Sequence, residues 1–509
     1  MHSSTSHPKL ATGVAYGSLL ALCLILTGCG GGAPESPQNV VLITLDTTRA
    51  DYLSTYGYLE ETTPNLDALA RQGTRFDLAI STAAVTPVSH ASILTGLYNH
   101  EHGLRVLSAP SGFRLPSDVA TLASVLQDYG YSTLAVHSAF PVSAHFGLDQ
   151  GFEVFESFDT TIQIRKGERE KHSWPLRQLQ RRSDATTDLV LQHLAAVQEP
   201  FFLWVHYWDP HDRMILPPDD FMPEDIGDNN GTRRNRKIYA AEIRYMDSQI
   251  GRLLDHLVAT GIDDRTFVIV VSDHGEGLGN HGWGKHRILY QEQIRLPLII
   301  RIPGRDQAPV VSALVRSIDI FPTVLDYLGI GYNVEVSGQS LRALIEGRQE
   351  PGRVALADQI NGFDLNADMV ATRPLDDFLY SAMDQDWKLI YRPANPDASE
   401  LFNLSQDPKE RQNLYAQRPE EAQRLLAVLA RSEPWVTTPF TPAGDAGDLE
   451  AIQEALTALG YLGGSNNAAT GLDWAWACPD NLGRLRRDRR QGDCPTPLVP
   501  VLPRPDDGS

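Results

Sequence analysis

Cysteine and basic residues are both scarce in this sequence. Only four of its 509 residues are cysteine, which excludes a small scaffold built on disulfide bonds. Lysine and arginine number 44 against 64 acidic residues, so the formal net charge is -20 and the chain lacks the basic balance of a general nucleic-acid binder. The hydrophobic fraction of 42% excludes disorder along the whole chain. The length suits one large α/β domain with a smaller appendage, or several ordinary domains.

The apolar stretch near the N-terminus, residues 14–26, is shorter than the about 20 residues that span a bilayer. Preceded by a polar start that contains Lys9, it is typical of a secretory signal. It ends in Leu26-Thr27-Gly28-Cys29, which resembles a bacterial lipoprotein signal and implies cleavage before Cys29 and lipid attachment to its sulfur. An ordinary signal peptide or a membrane anchor is the alternative interpretation.

The lipoprotein interpretation predicts a signal peptide over residues 1–29 and a tether rich in Gly, Pro and Ser over residues 30–38. It places the protein in the bacterial cell envelope, outside the cytoplasm, in contact with a membrane through a lipid anchor. Cys478 and Cys494 would then remain as cysteines, and a disulfide between them is left open.

Apolar segments alternate with helical ones from residue 39 onward, which predicts an α/β fold with a mostly parallel sheet and helices on both faces. Two charged, polar stretches, residues 160–184 and 217–236, are predicted to be surface insertions. The predicted strands are 39–46, 131–137, 201–206, 266–271 and 296–302, and the predicted helices include 63–70 and 121–127.

The pattern changes after about residue 350. Residues 387–391 and 400–404 predict strands of a smaller antiparallel sheet, and a helix is expected near 450–460. The remaining residues to the C-terminus are rich in Pro, Asp, Arg and Gly and indicate a tail. The predicted organisation is therefore an α/β domain over 39–350, a C-terminal subdomain over 351–464 and a tail over 465–509.

Polar residues with metal-binding chemistry follow two of the predicted strands. Asp46 ends the first strand, and Asp273 and His274 follow the strand at 266–271. The C-terminal ends of parallel strands are where open α/β sheets carry their sites. Thr86 begins a turn that runs into a helix, whose N-terminus favours an anion. Two carboxylates, an imidazole and a hydroxyl suit a hard or borderline divalent cation, and such a cation activates a hydroxyl as a nucleophile.

These residues belong to a larger set of motifs distributed over residues 39–463. The motifs include Leu45-Asp46 with Arg49-Ala50-Asp51, Thr63-Pro64-Asn65-Leu66-Asp67, Leu94-Thr95-Gly96, His206 with Asp209-Pro210-His211, Ser272-Asp273-His274-Gly275, Gly284-Lys285-His286, Asp319-Ile320-Phe321-Pro322-Thr323 and Leu401-Phe402-Asn403-Leu404. Taken together and in this order, they resemble the motifs of sulfatase-type members of the alkaline phosphatase superfamily. The resemblance implies an alkaline-phosphatase-like fold and a metal-dependent ester hydrolase.

The sequence departs from the sulfatase pattern at the nucleophile. Sulfatases of this type carry Cys or Ser in a Cys/Ser-x-Pro-x-Arg motif, and that residue is oxidised to formylglycine. Here Thr86 stands at the first position, the proline is shifted to Pro87, and His90 replaces the arginine. An unmodified threonine resembles the nucleophile of nucleotide pyrophosphatase/phosphodiesterases and of phosphoglycerol or phosphoethanolamine transferases.

A second departure lies beside Asp46, where Thr47 replaces the family's usual second aspartate. The resemblance therefore implies a single divalent ion, held by Asp46, Thr86, Asp273 and His274. Its identity among Ca, Mn, Zn and Mg is left open.

The resemblance also implies roles for residues around the ion. Lys285 and His211 would bind the ester oxygens, and His211, His286 or His90 would protonate the leaving group. His90 has a structural interpretation as well.

Three further histidines are not assigned to the chemistry: His102 and His206 are expected to be structural, and His281 is undecided. A two-metal site that adds Asp209, His211 and His286 as ligands is the less favoured alternative. In that alternative Arg213 stands where the two-zinc relatives have a histidine.

The predicted function is the cleavage of an anionic sulfate or phosphate ester in the cell envelope, with Thr86 favouring phosphoesters and phosphodiesters. The alternatives are a sulfuric ester hydrolase that acts without formylglycine, a head-group phosphotransferase, and a catalytically inactive lipid-anchored binding protein. No nucleic-acid partner is expected, and the oligomeric state is left open.

Overall fold

The computed structural model describes residues 38–432 apart from 108–113, 157–179, 212–215, 226–230, 306–308, 362–372, 374, 377 and 394. The predicted signal peptide, most of the tether, the helix expected near 450–460, the tail and all four cysteines lie outside the described residues. Within the described part of the chain, no helix combines the length and the apolar composition that a membrane crossing needs.

A nine-stranded sheet forms the larger part of the fold. Its strands are β1 Asn39–Leu45, β2 Thr74–Ile80, β3 Ser132–Val136, β4 Val154–Glu156, β5 Phe201–Tyr207, β6 Thr266–Ser272, β7 Arg295–Arg301, β8 Val310–Val311 and β9 Val315–Arg316. The order is β4-β3-β5-β1-β6-β7-β2-β8, with β9 paired to β2. Only β7 runs antiparallel to its neighbours β6 and β2. The predicted mostly parallel sheet is confirmed.

Ten α-helices accompany the strands within the described residues. They are α1 Pro64–Gln72, α2 Thr86–Thr95, α3 Asn99–His102, α4 Leu122–Asp128, α5 Ser183–Leu194, α6 Thr232–Ala259, α7 Gln291–Ile294, α8 Ile320–Leu328, α9 Arg342–Ile345 and α10 Pro419–Ser432.

Alternation along β1 explains why helices cover both faces of the sheet. Every residue of β1 is buried, and successive side chains point to opposite faces. Val40 and Leu42 belong to a core cluster that includes buried residues of α2, α4 and α8. Val41 and Ile43 belong to a second cluster, with buried residues of α1, α5 and α6. A strand buried on both faces requires a continuous apolar run, as this sequence has.

Most described residues of the segment 217–236 are exposed or half-buried, in agreement with its predicted surface position, but the start of a helix within it was not predicted. It contains a short 3-10 turn, Asp219–Phe221, and the first turn of the long helix α6, which begins at Thr232. The first turn of α6 is polar because it projects beyond the core, and burial begins only at Ile238. The start of α6 could therefore not be predicted from the composition of this segment. Arg236 in this turn donates to Leu278 O at 2.9 Å, in the loop that follows β6.

A second, four-stranded antiparallel sheet lies C-terminal to the first, as predicted. Its strands are β10 Ala355–Ile360, β11 Phe378–Met383, β12 Trp387–Tyr391 and β13 Glu400–Asn403, in that order. Buried residues of its strands pack with Ile288, Leu289 and Ile294, which follow the β6 loop in the chain. The two sheets therefore share hydrophobic packing.

Candidate metal and nucleophile site

Neighbouring strand ends bring the two predicted carboxylate ligands together. β1 lies between β5 and β6, and the register pairs Leu45 with Tyr207 on one side and with Ser272 on the other. Asp46 and Asp273 are the next residues after β1 and β6, so parallel pairing places both at the same edge of the sheet.

Asp46, Asp273 and His274 form a buried group with the composition of a metal site. Their ligand atoms all lie within 4.8 Å of one another. Among the described residues, Asp46 Oδ1 and Asp273 Oδ2 accept no hydrogen bond of normal geometry. Two buried carboxylates so close together need a compensating charge.

The raised pKa values of the two carboxyl groups also indicate that a compensating charge is needed. Burial, and after it the charge of Asp273, raises the pKa of Asp46 well above 3.8. Burial raises the pKa of Asp273 to about 8. The hydroxyl of Thr86 lowers the pKa of both carboxyl groups, but it has a single proton to share between them. A divalent cation would satisfy both oxygens and remove the repulsion, so these residues fit such an ion.

His274 contributes a neutral ring nitrogen to the same group. Its Nδ1 donates to Gly275 O at 2.9 Å, which fixes the tautomer and leaves a lone pair on Nε2. Nε2 lies 3.3 Å from Thr86 Oγ1 and 3.5 Å from Asp273 Oδ2. Burial, followed by the neighbouring His286, lowers the pKa of His274 well below 6.5. The neutral imidazole is the form that binds a metal ion.

Thr86 is the first residue of α2 and is completely buried. Pro87 follows it, and proline suits the first turn because the N–H there has no partner within the helix. The N-terminal end of a helix carries a partial positive charge. The Thr86 oxygen therefore lies where the helix favours negative charge, and a cation held by Asp46, Asp273 and His274 would favour it further.

A hydrogen-bond chain through His90 holds the start of α2. Trp204 Nε1 donates to Thr44 Oγ1 at 2.9 Å, and the Thr44 hydroxyl donates to His90 Nε2 at 3.0 Å. His90 Nδ1 then donates to Thr86 O at 2.8 Å. Burial lowers the pKa of His90 to about 4, in agreement with a neutral ring that donates at one nitrogen and accepts at the other. This geometry favours the structural interpretation of His90 over its role as a proton donor.

His206 supports Asp46 in a similar way. Its Nδ1 accepts from Ser138 N at 3.3 Å, and its Nε2 donates to Asp46 Oδ2 at 3.1 Å. Hydrogen bonds of this kind orient metal-binding carboxylates. The structural role expected for His206 is therefore to hold Asp46 Oδ2 by a hydrogen bond. This contact leaves Asp46 Oδ1 directed toward the site.

Two predicted proton donors lie near His274. The His286 ring is 4.7 Å from that of His274 and 5.4 Å from that of His211. The His211 ring stacks on Trp208 at 3.9 Å. Burial lowers the pKa of His286, and the carboxylate of Glu276 offsets only part of that effect. The structure thus brings His211 and His286 together beside the metal group.

Lys285 is exposed beside His286. Its carbonyl accepts hydrogen bonds from Gly277 N at 3.0 Å and from Gln293 Nε2 at 3.0 Å. The backbone at Lys285 is therefore held firmly, while its side chain is accessible to a substrate.

Asp209 does not belong to the metal group. Its carboxylate accepts from Ser183 N at 3.1 Å and from the Ser183 hydroxyl, at the start of α5. Burial raises its pKa to about 6. These contacts weigh against the two-metal alternative, which required Asp209 as a ligand.

Sequence reasoning missed the residues that shape the turn after Asp46. Thr47 has a positive φ of 47°, and its N–H donates to Asp273 Oδ1 at 3.0 Å. Tyr239 from α6 donates to Thr47 O at 2.6 Å and accepts from Arg49 N at 2.8 Å. Tyr239 lies within an amphipathic helix, where nothing in the sequence separates it from an ordinary core residue.

His281, undecided from the sequence, bridges two parts of the chain. Its Nδ1 donates to Glu292 Oε1 at 2.7 Å and its Nε2 donates to Glu410 O at 3.1 Å. Both partners are acceptors, so the protonated ring, which donates at both nitrogens, is the form that suits this position. The ring also stacks on Tyr290 at 3.8 Å. His281 therefore ties the loop after β6 to the segment that follows β13.

We expect Asp273→Asn to abolish metal binding and to stabilise the metal-free protein. The wild type should gain thermal stability when Ca²⁺, Mn²⁺, Zn²⁺ or Mg²⁺ is added after chelation, by about 2.7 kcal/mol at a metal concentration of 100 times Kd. The substituted amide keeps an oxygen that accepts from the Thr47 N–H, and it removes the buried charge. Thermal unfolding with and without each metal measures both effects, and Asp209→Asn is the matched control that should keep the metal response. A metal response that survives Asp273→Asn would contradict the assigned site.

The charged state of His281 predicts a pH-dependent stability. Burial lowers the pKa of His281, but the hydrogen bond and charge of Glu292 outweigh it, so the pKa is raised above 6.5. The stabilisation is then fully present below pH 6.5 and is lost as pH rises through the raised value. Denaturant unfolding between pH 6 and about pH 9 should show a steeper loss of stability in wild type than in His281→Gln. Equal slopes for the two proteins would show that His281 is not charged.

Comparison with known proteins identifies the family of the chain. A family model described as Sulfatase matches residues 38–330, and a model described as N-sulphoglucosamine sulphohydrolase, C-terminal, matches residues 279–431. An N-acetylglucosamine-6-O-sulfatase of Bacteroides thetaiotaomicron is 24% identical over 508 residues, which cover 79% of this chain and 88% of that protein.

Two solved structures are similar in fold. One is a protein in complex with its substrate D-glucosamine-2-N,6-O-disulfate, with a TM-score of 0.63, 22% identity, and coverage of 78% of this chain and 97% of the other. Another is the phosphonate monoester hydrolase of Agrobacterium radiobacter, with a TM-score of 0.61, 22% identity, and coverage of 78% and 96%. With a family model that matches more than half of its residues, the chain belongs to the sulfatase family of hydrolases in the alkaline phosphatase superfamily.

Proposed function

We propose that this sulfatase-family hydrolase is metal-dependent and uses the unmodified Thr86 hydroxyl as its nucleophile, with a preference for phosphoesters and phosphodiesters. The observation that carries the proposal is the position of Thr86 Oγ1, buried at the start of α2 and 3.3 Å from His274 Nε2. The same hydroxyl lowers the pKa of both Asp46 and Asp273. A hydroxyl that contacts a group of cation ligands is positioned to act as a nucleophile when a metal ion activates it.

The chemistry divides between the ion and the residues. A divalent cation held by Asp46, Asp273 and His274 would lower the pKa of the Thr86 hydroxyl and offset negative charge on the ester. The Thr86 hydroxyl would release its proton to water, and Oγ1 would form a bond to phosphorus or sulfur while the bond to the leaving oxygen breaks. A water molecule would then attack the same phosphorus or sulfur, the bond to Thr86 Oγ1 would break, and the threonine hydroxyl would be restored as phosphate, a phosphate monoester or sulfate is released.

Residues at the rim of the site would bind the ester and protonate the leaving group. Lys285, exposed beside the site, binds ester oxygens by its charge. His211 and His286 lie within reach of one another, and one of them gives a proton to the leaving oxygen. His90 donates to the backbone carbonyl of Thr86 and so positions this residue. In this proposal His90 makes no contact with the ester.

A sulfate ester is the second candidate substrate. It is favoured by the similarity to an N-acetylglucosamine-6-O-sulfatase, which covers most of both chains. On this view Thr86 would act on a sulfated amino sugar without formylglycine. Turnover of an aryl sulfate faster than a phosphodiester by the same preparation would favour this candidate.

The proposed place of action is the bacterial cell envelope. The support is the pattern Leu26-Thr27-Gly28-Cys29 after an apolar stretch, which is typical of lipid attachment to Cys29. We expect the full-length protein to fractionate with membranes and to incorporate a radiolabelled fatty acid, and Cys29→Ser to lose the label. A label retained in Cys29→Ser would contradict lipidation at this residue.

Variants of Thr86 test the nucleophile. Thr86→Ala should lower kcat for any ester that the wild type hydrolyses by about 10³-fold or more, since the variant lacks the attacking oxygen. Thr86→Ser keeps a hydroxyl and should stay within about tenfold of the wild type. The measurement is hydrolysis of a phosphodiester, a phosphate monoester and an aryl sulfate by the metal-loaded protein.

Two further measurements test whether Thr86 is the nucleophile. Acid quenching during turnover should trap a phosphoryl or sulfuryl group on the peptide that contains Thr86, detectable by mass spectrometry. An active Thr86→Ala variant with unaltered kcat would overturn the proposal, and a wild type inactive on every ester would favour the binding-protein alternative.

A further inference from the structure

Gln293, in the short helix α7, is completely buried and contacts the loop that carries Lys285 and His286. Both ends of its side-chain amide are used. Nε2 donates to Lys285 O at 3.0 Å, and Oε1 accepts from Ile288 N at 2.9 Å. The amide therefore holds the chain on both sides of His286 and Arg287.

The stretch between these two contacts contains a strained backbone. Arg287 is buried and has a φ of 87°, in the left-handed region that residues other than glycine rarely adopt. Such a conformation persists only where the surrounding structure holds it. Gln293 supplies a contact on each side of Arg287, and Asn361 Nδ2 donates to Arg287 O at 2.8 Å. The path of the chain next to His286 therefore depends on the amide of Gln293.

The backbone of Gln293 reaches the opposite side of the site. Gly275 N donates to Gln293 O at 2.8 Å, and Gly275 directly follows His274 of the metal group. His274 Nδ1 in turn donates to Gly275 O at 2.9 Å. Gln293 is thus bonded next to His274 by its backbone and next to His286 by its side chain. The rings of these two histidines lie 4.7 Å apart.

The two side-chain contacts explain why an amide suits this position. One partner is a carbonyl and the other is an N–H, so the side chain must donate at one end and accept at the other. A glutamate would place a carboxylate against the Lys285 carbonyl. A methionine of similar length would remove both contacts.

Helix α7 is itself held from the second sheet. Gln291 N, at the first position of the helix, donates to Glu410 Oε2 at 2.5 Å. Glu410 Oε1 lies 2.6 Å from Lys388 Nζ of β12, and both side chains are completely buried. Because Gln293 lies two residues later in the same short helix, these contacts also fix its position.

We propose that Gln293 is a positioning residue that holds Lys285 and His286 at a fixed place relative to His274. The proposal rests on the proposed function for the roles of Lys285 in binding the ester and of His286 beside the leaving group. Gln293 acts only through backbone atoms of its neighbours and touches no part of the ester.

The direct test is calorimetric titration of the full metal-loaded protein with inorganic phosphate, an anion with the oxygen geometry of the ester. Gln293→Met should weaken phosphate binding by about fivefold or more, since a displaced Lys285 loses a charge-assisted contact. Gln293→Asn keeps an amide but is one methylene shorter, so it cannot hold both contacts and should also weaken binding. Gln291→Met is the matched control in the same helix, because its side chain donates to Met383 Sδ and not to the loop.

A double-mutant cycle separates positioning from a general loss of structure. In a Lys285→Met background, Gln293→Met should change phosphate affinity by less than about twofold, because the amide acts on the anion through Lys285. The gain in thermal stability on metal addition should persist in Gln293→Met, since its side chain contacts neither Asp46 nor Asp273. An equal loss of phosphate affinity in both backgrounds would overturn the proposal.

A kinetic arm measures the same effect during catalysis. Gln293→Met should lower kcat/KM for bis(4-nitrophenyl) phosphate by about tenfold or more, with Gln291→Met close to the wild type. Absence of turnover by the wild type would count against the proposed function, whereas the phosphate titration would still decide the role of Gln293. No phosphate binding by wild type up to about 10 mM, or wild-type affinity in both Gln293 variants, would overturn the proposal.

Discussion

Two buried carboxylates at adjacent strand ends are the constraint on which the rest of the site depends. Asp46 and Asp273 lie in an interior where burial raises the pKa of both, and each keeps an oxygen that accepts no hydrogen bond of normal geometry among the described residues. Such an arrangement is costly unless a cation occupies it. The surrounding hydrogen bonds keep the two carboxylates close together despite the free-energy cost of their burial.

The parallel sheet makes the close approach of the carboxylates unavoidable. β1 is paired with β5 and β6 along nearly its whole length, so the residues after the strands have little freedom. His206 and the N–H of Thr47 each take one oxygen of a carboxylate, which leaves the other oxygen directed into the site. Helix α2 then brings Thr86 against this group, and the chain Trp204–Thr44–His90 holds the helix start to β1 and β5. The neutral ring of His90 suits this positioning role, because it donates at one nitrogen and accepts at the other.

The loop after β6 packs against the second sheet and carries the residues that are proposed to contact the ester. His286 lies beside the metal group with Lys285 next to it, while Trp283 Nε1 donates to His286 O at 2.8 Å and His281 reaches Glu410. A charged histidine, a stacked tyrosine and several backbone hydrogen bonds hold this loop against the C-terminal sheet. The second sheet thus helps to position the loop that carries His286 and Lys285, although it contributes none of the proposed metal ligands.

The sequence by itself determined the fold class and the family, and it predicted the group that Asp46, Asp273 and His274 form in the structure. Long apolar runs of this length are typical of buried strands, and Asp46 and Asp273-His274 stood at their ends, where parallel sheets collect functional residues. The start of α6 at Thr232, the strands β2, β4, β8 and β9, and the supporting residues Tyr239, Thr44 and Trp204 could not be derived. Their residue types are those of ordinary surface turns, short strands and core positions. Only the tertiary structure decided that His90 holds a backbone carbonyl, that Asp209 binds Ser183, and that His281 is charged. These assignments depend on which donor or acceptor lies within about 3 Å of each ring nitrogen or carboxylate oxygen, and chain positions distant in sequence supply those partners.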